Sequence, residues 1–327
     1  MLAKICKIAR TLMKKTYKLV MTMVLAAMMV SCRFTGKDAQ APMSPEQIRL
    51  EKICTIDTTS LRKVLNPDSI EGRAKLDSLT ADAWMLIDDS TGIVINEKCG
   101  FERRYMASIT KMMTALLALE KGNLSDSIDI TEDVYINRDS RVRLGDGYVM
   151  NELIYEMMMV SDNDAAYALA KHVAGDTLRF YDMMNQKAQY LRMDSTHFAN
   201  PNGMPNTNNY SSAADLIKLA RYAMRDSMFA SIVGTAERDI PLTDGRHMEC
   251  RNSNALLHTY EGCIGIKTGF TYQAGYCLAS AGTRHGHTLM LVLLNSKKHA
   301  TRFTESAALL DYGFRVMEVY SQKTTAR

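Results

Sequence analysis

Short apolar runs that suit β-strands occur in two widely separated parts of the chain. The first part holds Ala83–Asp88 and Ile93–Asn96, and the residues between them, Asp89–Gly92, are typical of a turn. The second part holds two longer runs, Tyr276–Ala281 and Leu289–Asn295. Each pair predicts a β-hairpin, because strand-like runs separated by turn-forming residues favour antiparallel pairing.

Helices are predicted between the two hairpins. Ser108–Glu120 is apolar on most faces, which predicts a helix that is buried. Further helices are predicted at about residues 150–160, 164–173, 178–191, 211–224 and 300–310. Strands at both ends with helices between them predict one sheet assembled from distant segments together with a helical insert, which is an α/β (α+β) fold.

The first 31 residues have the composition of a targeting segment. Six cations and no acidic residue accompany an apolar stretch, Leu19–Val30, that is too short to span a bilayer comfortably. This pattern predicts a secretory signal peptide. Residues 29–32 resemble a bacterial lipoprotein cleavage site, because a small residue, Ser31, directly precedes Cys32. Leucine is usual where Met29 stands. We expect a lipid on Cys32. Ordinary signal cleavage nearby is the alternative. Either route predicts a cell-envelope protein on the periplasmic side.

The remaining chain divides at about residue 81. Residues 32–80 are polar and weakly patterned, and Pro42, Pro45 and Pro67 interrupt them. We expect this stretch to be a tether of limited structure that keeps the domain away from a membrane. Residues 81–327 carry the ordered patterning and form the predicted catalytic domain.

Charge and cysteine content exclude two classes of function. The whole chain carries a net charge of +4, and removing the six cations of the predicted signal peptide leaves −2, so no nucleic-acid-binding patch is indicated. The seven cysteines are irregularly spaced without a Cys-x-x-Cys motif, and the histidines form no helical metal pair, so we expect no metal site. Export would allow a disulfide to form, and the cysteine spacing does not select a pairing.

A serine and a lysine lie one helical turn apart at the start of the predicted buried helix. Ser108 and Lys111 therefore share a face, and the amine is placed to act as a base for the hydroxyl. Burial and a second cation, Lys267, would lower the pKa of Lys111 from about 10.4. A plain helix cap is the alternative interpretation of Ser108. The same spacing at Ser60 and Lys63 is rejected because it lies in the predicted tether.

Ser161, Asp162 and Asn163 lie at the junction of two predicted helices. Such a junction can direct side chains into a cleft, where Ser161 could relay a proton to a leaving amine and Asn163 could bind a substrate amide. We expect Asp162 and Asp164 to cap a helix or to face solvent. An ordinary capping sequence is the alternative for the whole motif.

Lys267, Thr268 and Gly269 open a strand-rich region. The lysine and threonine side chains can bind a carboxylate, and the glycine allows a substrate backbone to approach closely. The backbone N–H groups of Ser108 and Phe270 are candidates for an oxyanion hole. A strand-edge triplet without function is the alternative.

Together these motifs resemble the serine-type D-alanyl-D-alanine carboxypeptidases, the low-molecular-mass penicillin-binding proteins. The matching stretches occur in order and cover parts of about residues 81–315. They are residues 107–114, 161–166, 198–204, 265–271 and 274–278. The resemblance implies a β-lactamase/transpeptidase-like fold, with a mainly antiparallel sheet, covering helices and a helical lobe.

The resemblance also implies a role for each motif. Ser108 would be the acylated nucleophile, Lys111 its base, and Ser161 and Asn163 the groups that shuttle protons and hold substrate. The Lys267 motif would bind the terminal carboxylate of peptidoglycan stem peptides that end in two D-alanines. β-Lactams would acylate the same serine, and no metal or other cofactor would be needed.

Two departures from the family pattern modify these expectations. Asp162 stands where the family usually has glycine, and an aspartate at this position is typical of class A β-lactamases. The Glu-x-x-Leu-Asn stretch with which those enzymes deacylate is absent from the sequence. We therefore expect slow release of β-lactams. Many relatives continue into a C-terminal β-domain and a membrane-binding helix, and we expect a lipid on Cys32 to replace that anchor.

Other functions remain compatible with the same residues. A D,D-endopeptidase that cleaves peptidoglycan crosslinks would use the same catalytic groups, and a β-lactamase would turn over cephalosporins steadily. A catalytically silent lipoprotein that binds muropeptides is the alternative outside enzymology, and the intact set of polar residues argues against it.

Overall fold

The computed structural model describes residues 43–136 and 140–325. These residues contain nine strands and eleven α-helices, joined by loops and short 3₁₀ turns. From Arg49 onward these residues belong to one unit, and residues 43–48 fall in a separate N-terminal unit. The helices are α1 (Pro45–Cys54), α2 (Ser60–Val64), α3 (Arg73–Leu76), α4 (Lys111–Lys121), α5 (Met150–Met159), α6 (Asn163–Ala174), α7 (Thr177–Tyr190), α8 (Ala213–Ala223), α9 (Ser227–Gly234), α10 (Leu256–Thr259) and α11 (Thr301–Thr325). The strands are β1 (Ala83–Asp88), β2 (Val94–Lys98), β3 (Ser127–Asp129), β4 (Gly147–Val149), β5 (Glu237–Pro241), β6 (His247–Arg251), β7 (Cys263–Thr271), β8 (Gly275–Arg284) and β9 (His287–Ser296).

The main sheet has five antiparallel strands in the order β2-β1-β9-β8-β7. Both predicted hairpins are present, and β1 of the first pairs with β9 of the second, with Leu86 opposite Leu291. The sheet is therefore built from distant segments, as the sequence predicts. Strand β7 lies at one edge, so one row of its backbone groups is not paired within the sheet.

The apolar run in β9 is continuous because helices cover both faces of the sheet. Leu289, Leu291 and Leu293 point into one core, while Met290 and Val292 point into the other. Since successive side chains of a strand point to opposite faces, a strand buried on both sides needs apolar residues at every position. The mixed architecture expected from the sequence, an antiparallel sheet with covering helices and a helical part, is confirmed.

The predicted tether is wrong for the residues from 49 to 80. Leu61, Leu65 and Leu76 are buried in the same core as Leu309 and Leu310 of α11. These leucines are isolated in a polar sequence, and each turns inward only because a distant helix offers it an apolar partner. The folded unit therefore begins near residue 49, not at residue 81.

The sequence analysis also missed several short elements. Strands β5 and β6 form a separate ribbon in which Ile240 and Cys250 are the buried residues. Neither strand contains an apolar run, so the pattern that reveals the main sheet is not present there. The predicted last helix at 300–310 continues to Thr325, beyond the end of its apolar residues.

The described cysteines are Cys54, Cys99, Cys250, Cys263 and Cys277, and all of them are free thiols. Within residues 43–136 and 140–325, no helix is both long and apolar enough to cross a bilayer. The predicted signal peptide and Cys32 lie outside the described residues.

Candidate active site

Ser108 lies in a short 3₁₀ turn, Ala107–Thr110, that leads directly into α4. Ala107 adopts a left-handed backbone conformation with φ of 47°. The turn is fixed by its own side chains, since Thr110 Oγ1 donates to Ala107 O at 2.9 Å and Thr114 Oγ1 donates to Pro201 O at 2.6 Å. Both threonines are buried, so the turn that carries the nucleophile is tied to the core below it.

The Lys111 amine contacts the Ser108 hydroxyl at 3.0 Å. It also donates to Asn163 Oδ1 at 2.8 Å and to the backbone carbonyl of Asn202 at 2.7 Å. These two acceptors can take both N–H bonds of an uncharged amine, which leaves its lone pair directed at Ser108. The geometry is thus that of a base facing a hydroxyl.

Burial lowers the pKa of Lys111 from 10.5 to about 7, against the opposing effect of the carboxylates of Asp162 and Glu156. The side chain is fully buried, and a charged ammonium loses its hydration there. Ser60 and Lys63 lack this environment, because Lys63 is exposed on the five-residue helix α2. Rejection of that pair therefore agrees with the structure, although the reason is the exposure of Lys63 and not a location in a tether.

Asn163 is positioned by the cap of α6. Asp162 Oδ1 accepts from the backbone N–H groups of Asp164 and Ala165, at 2.9 and 3.2 Å. Its other oxygen accepts from Arg141 N and Val142 N, which joins a neighbouring loop to the same cap. Asp162 is therefore a buried cap, one of the two roles expected for it.

Ser161 directly precedes this cap in a left-handed conformation, with φ of 71°. A serine pays a steric cost for such a conformation, which the rigid cap beside it can support. Its hydroxyl forms no hydrogen bond with any of the residues that the structure describes. The side chain is half-buried at the end of α5, next to Asn163 in sequence.

Lys267, Thr268 and Gly269 lie on the edge strand β7. The Lys267 amine is buried and donates to Thr268 O at 3.1 Å. Its pKa lies well below the usual range because of burial, and the cations Lys111 and Arg302 lower it further. The Thr268 hydroxyl shares a hydrogen bond of 2.7 Å with Ser253 Oγ.

Gly269 brings the edge of β7 against the nucleophile. A Cβ added to this glycine would lie 3.0 Å from both Ser108 N and Met106 O. The absence of a side chain thus permits the backbone of Gly269 and Phe270 to border Ser108. The structure brings together the 3₁₀ turn, the start of α6 and the edge of β7, which are the three motifs predicted to form one site.

Sequence reasoning missed several groups around this site. The Asn202 carbonyl fixes Lys111, but a backbone oxygen has no identifying side chain. Buried Arg302 donates to Gly269 O at 3.2 Å from helix α11, far away in sequence.

Glu156 was also missed. This residue of α5 is fully buried, and its carboxyl oxygens have no hydrogen-bond partner among the described residues. Burial raises its pKa well above the usual range, and Asp162 adds to that shift while Arg141, Lys111 and Lys267 oppose it. The nearby cations therefore offset only part of the cost of burying a carboxylate at this position. In the sequence, Glu156 is one of two acids in a helix that is otherwise mostly apolar, and nothing in that pattern indicates its position near the lysines.

The arrangement supplies what acyl transfer through a serine requires. Ser108 is a half-buried nucleophile with an amine of lowered pKa beside it. The backbone of Gly269 borders Ser108, and a second buried lysine, Lys267, lies on the same strand. Among the described residues, no group of three or more histidine, cysteine, aspartate or glutamate side chains is arranged to bind a metal ion.

Comparisons with known proteins agree with this chemistry. Residues 70–298 match the D-alanyl-D-alanine carboxypeptidase family. The D-alanyl-D-alanine carboxypeptidase of Streptomyces sp. strain K15 is 34% identical over 256 residues, which cover 72% of this chain and 88% of that protein. DacF of Bacillus subtilis is 30% identical over 73% of this chain and 64% of its own length, so the chain spans slightly less than two thirds of that relative. The D-alanyl-D-alanine endopeptidase of Escherichia coli is also 30% identical, over 71% of this chain and 76% of that protein.

Solved structures give the same result. The Streptomyces K15 DD-transpeptidase superposes with a TM-score of 0.69 at 32% sequence identity, covering 72% of this chain and 98% of that one. DacD of Francisella tularensis superposes with a TM-score of 0.67 at 29% identity, over 76% of this chain and 72% of that one. The transpeptidase-like fold and the family expected from the motifs are both confirmed. This chain therefore belongs to the D-alanyl-D-alanine carboxypeptidase family.

Proposed function

We propose that this protein is a serine D-Ala-D-Ala carboxypeptidase that removes the terminal D-alanine of peptidoglycan stem peptides. The observation that carries the proposal is the contact of 3.0 Å between the Lys111 amine and the Ser108 hydroxyl, in a setting that lowers the pKa of the amine to about 7. Membership of the family supports the substrate class.

Acylation begins when Ser108 Oγ attacks the carbonyl carbon of the penultimate D-alanine. The hydroxyl proton passes to the uncharged Lys111 amine, and the carbonyl oxygen becomes an oxyanion that accepts from the N–H groups of Ser108 and Phe270. The C–N bond then breaks, and the leaving amine receives a proton through Ser161. These steps give a serine ester and free D-alanine.

Deacylation reverses the roles of the same groups. A water molecule attacks the ester carbonyl and gives its proton to Lys111, which returns a proton to Ser108 Oγ as the ester bond breaks. Asn163 accepts a hydrogen bond from Lys111 through Oδ1, and its amide nitrogen donates to Met204 Sδ at 3.7 Å. A substrate carbonyl is a stronger acceptor than this thioether, so the same nitrogen can hold the substrate backbone. The lysine thus acts as base and then as acid in each half of the cycle.

Lys267 and Thr268 are the proposed grip for the terminal carboxylate. Burial and the neighbouring cations Lys111 and Arg302 depress the pKa of Lys267. An arriving carboxylate supplies the opposite charge, which favours the protonated amine and strengthens binding. A peptide with an amidated C-terminus cannot supply that charge and should be a poor substrate.

Mass spectrometry after incubation with benzylpenicillin tests the nucleophile. We expect a covalent adduct of one penicillin on the peptide that contains Ser108, and none in Ser108→Ala. Failure of the wild-type protein to form an adduct, with folding verified by circular dichroism, would overturn the enzymatic assignment and favour the silent muropeptide-binding protein.

The D,D-endopeptidase activity is kept as a second candidate because the Escherichia coli relative at 30% identity carries that name. Incubation of the protein with a pentapeptide ending in D-Ala-D-Ala and, separately, with a crosslinked muropeptide dimer distinguishes the two. Faster release of D-alanine from the pentapeptide supports the carboxypeptidase, and faster cleavage of the dimer supports the endopeptidase. Steady turnover of a chromogenic cephalosporin would instead indicate a β-lactamase.

We also propose that the protein is exported and anchored to a membrane by lipid on Cys32. The support is the cationic, acid-free segment followed by a short apolar stretch and a cysteine after Ser31. Metabolic labelling with an alkyne analogue of palmitate in a bacterial host should label the wild-type protein and not Cys32→Ala. An unlabelled wild-type protein that is still processed would indicate ordinary signal cleavage.

A further inference from the structure

A cavity of about 330 Å³ lies beside the proposed active site and takes no part in the mechanism above. Four segments of the chain line it, and Asn295 is the residue contributed by β9. The residues that matter here lie on the other three segments and are Arg103, Arg104, Tyr105, Tyr210, Gln273 and Ala274. Each of these three segments leads to a group already placed at Ser108. The same stretches of backbone therefore form walls of both the cavity and the catalytic centre.

Chain length fixes how far the cavity can be from the nucleophile. Tyr105 precedes Ser108 by three residues, so their Cα atoms lie within about 11 Å of each other. Ala274 follows Phe270 by four residues, which limits that separation to about 15 Å. The third wall belongs to the loop that carries Asn202, whose carbonyl binds Lys111.

The order of groups along β7 fixes the direction in which a bound peptide extends. Its terminal carboxylate would lie at Lys267 and Thr268, and its reacting carbonyl at Phe270. The residues before the reacting carbonyl must then continue toward Gln273, antiparallel to the edge strand. An extended peptide advances about 3.3 Å per residue, so the second and third residues before the scissile bond reach roughly 7–10 Å from it. That range leads into the cavity.

The cavity has a positive charge without a partner. The Arg103 guanidinium lies over the Tyr210 ring at 4.8 Å, and among the described residues no carboxylate is within ion-pair distance of it. Arg104 is paired with Glu102 at 2.6 Å. None of the residues that line the cavity is acidic.

Stacking on tyrosine keeps the Arg103 guanidinium in place while its N–H donors stay free. A stacked guanidinium presents these donors at its edge, in the geometry that suits a carboxylate. The exposed Tyr105 ring adds an apolar surface to the same cavity. The combination fits the aliphatic stem of an acidic side chain together with its carboxylate.

We propose that this cavity is a subsite for a negatively charged residue of the acyl-donor peptide, two positions before the scissile bond. The inference rests on the proposed carboxypeptidase function and specifies its substrate more closely. It assigns Arg103 a role in specificity: the guanidinium binds the carboxylate and contributes no proton to the reaction.

Two peptides that differ in one group test this assignment. Both end in D-Ala-D-Ala, and the residue before these carries either a free side-chain carboxylate or the corresponding amide. We expect the wild-type protein to show a kcat/KM for release of D-alanine about tenfold higher for the acid than for the amide. In Arg103→Gln the ratio should fall to about one, and in Arg103→Glu the amide should become the better substrate.

A matched control is Arg179→Gln, which alters an exposed arginine on α7 outside this cavity and should keep the wild-type ratio. Equal rates for the two peptides with the wild-type protein, or an unchanged ratio in Arg103→Glu, would overturn the subsite while leaving the carboxypeptidase assignment intact. Absence of D-alanine release from both peptides, together with absence of a penicillin adduct on Ser108, would overturn both.

Discussion

The lowered pKa of Lys111 makes a quantitative prediction about the pH dependence of acylation. Burial shifts this pKa from 10.5 to about 7. If the uncharged amine is the base, the active fraction is about one tenth at pH 6 and about nine tenths at pH 8. The rate of acylation should therefore rise about tenfold across that interval and then level off. An unshifted lysine would instead give a rate that keeps rising about tenfold per pH unit up to pH 9.

The assay is the second-order rate of labelling by a fluorescent penicillin between pH 5.5 and 9.5 at constant ionic strength. Ser108→Ala sets the background, and circular dichroism at each pH confirms that the protein is folded. Lys111 lowers the pKa of Lys267, so the two amines are coupled and the observed midpoint belongs to the pair of lysines.

Two outcomes would refute the reasoning. A rate that does not change between pH 5.5 and 8 would mean that no group with a pKa near 7 controls the nucleophile. A rate that increases up to pH 9 without levelling would mean that the amine keeps an ordinary pKa, and burial would then not be the source of its activation.

Three further predictions follow from the structure. Gly203→Ala should reduce the acylation rate at least tenfold, because the new Cβ would lie 2.0 Å from Ala107 O. The control Gly175→Ala should acylate at the wild-type rate, because Gly175 has a similar positive φ but open space around it. Equal rates for the two would show that the contact with Ala107 is unimportant. Asp162→Ala leaves four backbone N–H groups without their acceptor. Urea titrations should show that this variant loses about 2–4 kcal/mol of the free energy of unfolding. The control Asp176→Ala removes a cap of α7 that accepts one hydrogen bond, and it should lose about 1 kcal/mol. Similar losses would contradict the role of Asp162 in joining two segments. Because the folded-state pKa of Lys111 is lowered, the unfolded chain takes up a proton first as pH falls. The free energy of unfolding, relative to Lys111→Met, should therefore decrease by about 3–4 kcal/mol between pH 10 and pH 7 and change little below that. A difference that does not vary with pH would contradict the shift.

The sequence alone determined the features that depend on neighbours along the chain. The spacing of Ser108 and Lys111 places both on one helical face whatever surrounds them, and the helix predicted at about 211–224 is α8, which Ser212 caps. The hairpins of the main sheet are visible because strands buried on both faces need long apolar runs. The order of the motifs was sufficient to identify the family.

Only the tertiary structure decided which groups complete the site. The Asn202 carbonyl binds Lys111, and Arg302 binds the Gly269 carbonyl. The carboxyl of Glu156 acts electrostatically on both lysines, and these three groups come from segments that are far apart in sequence. Burial of residues 49–80 against α11 was likewise hidden, because isolated leucines become core residues only when a distant surface covers them. The lowered pKa of Lys111 has the same origin. The loss of water around an amine depends on the whole fold, and a pattern of residues along one segment does not contain that information.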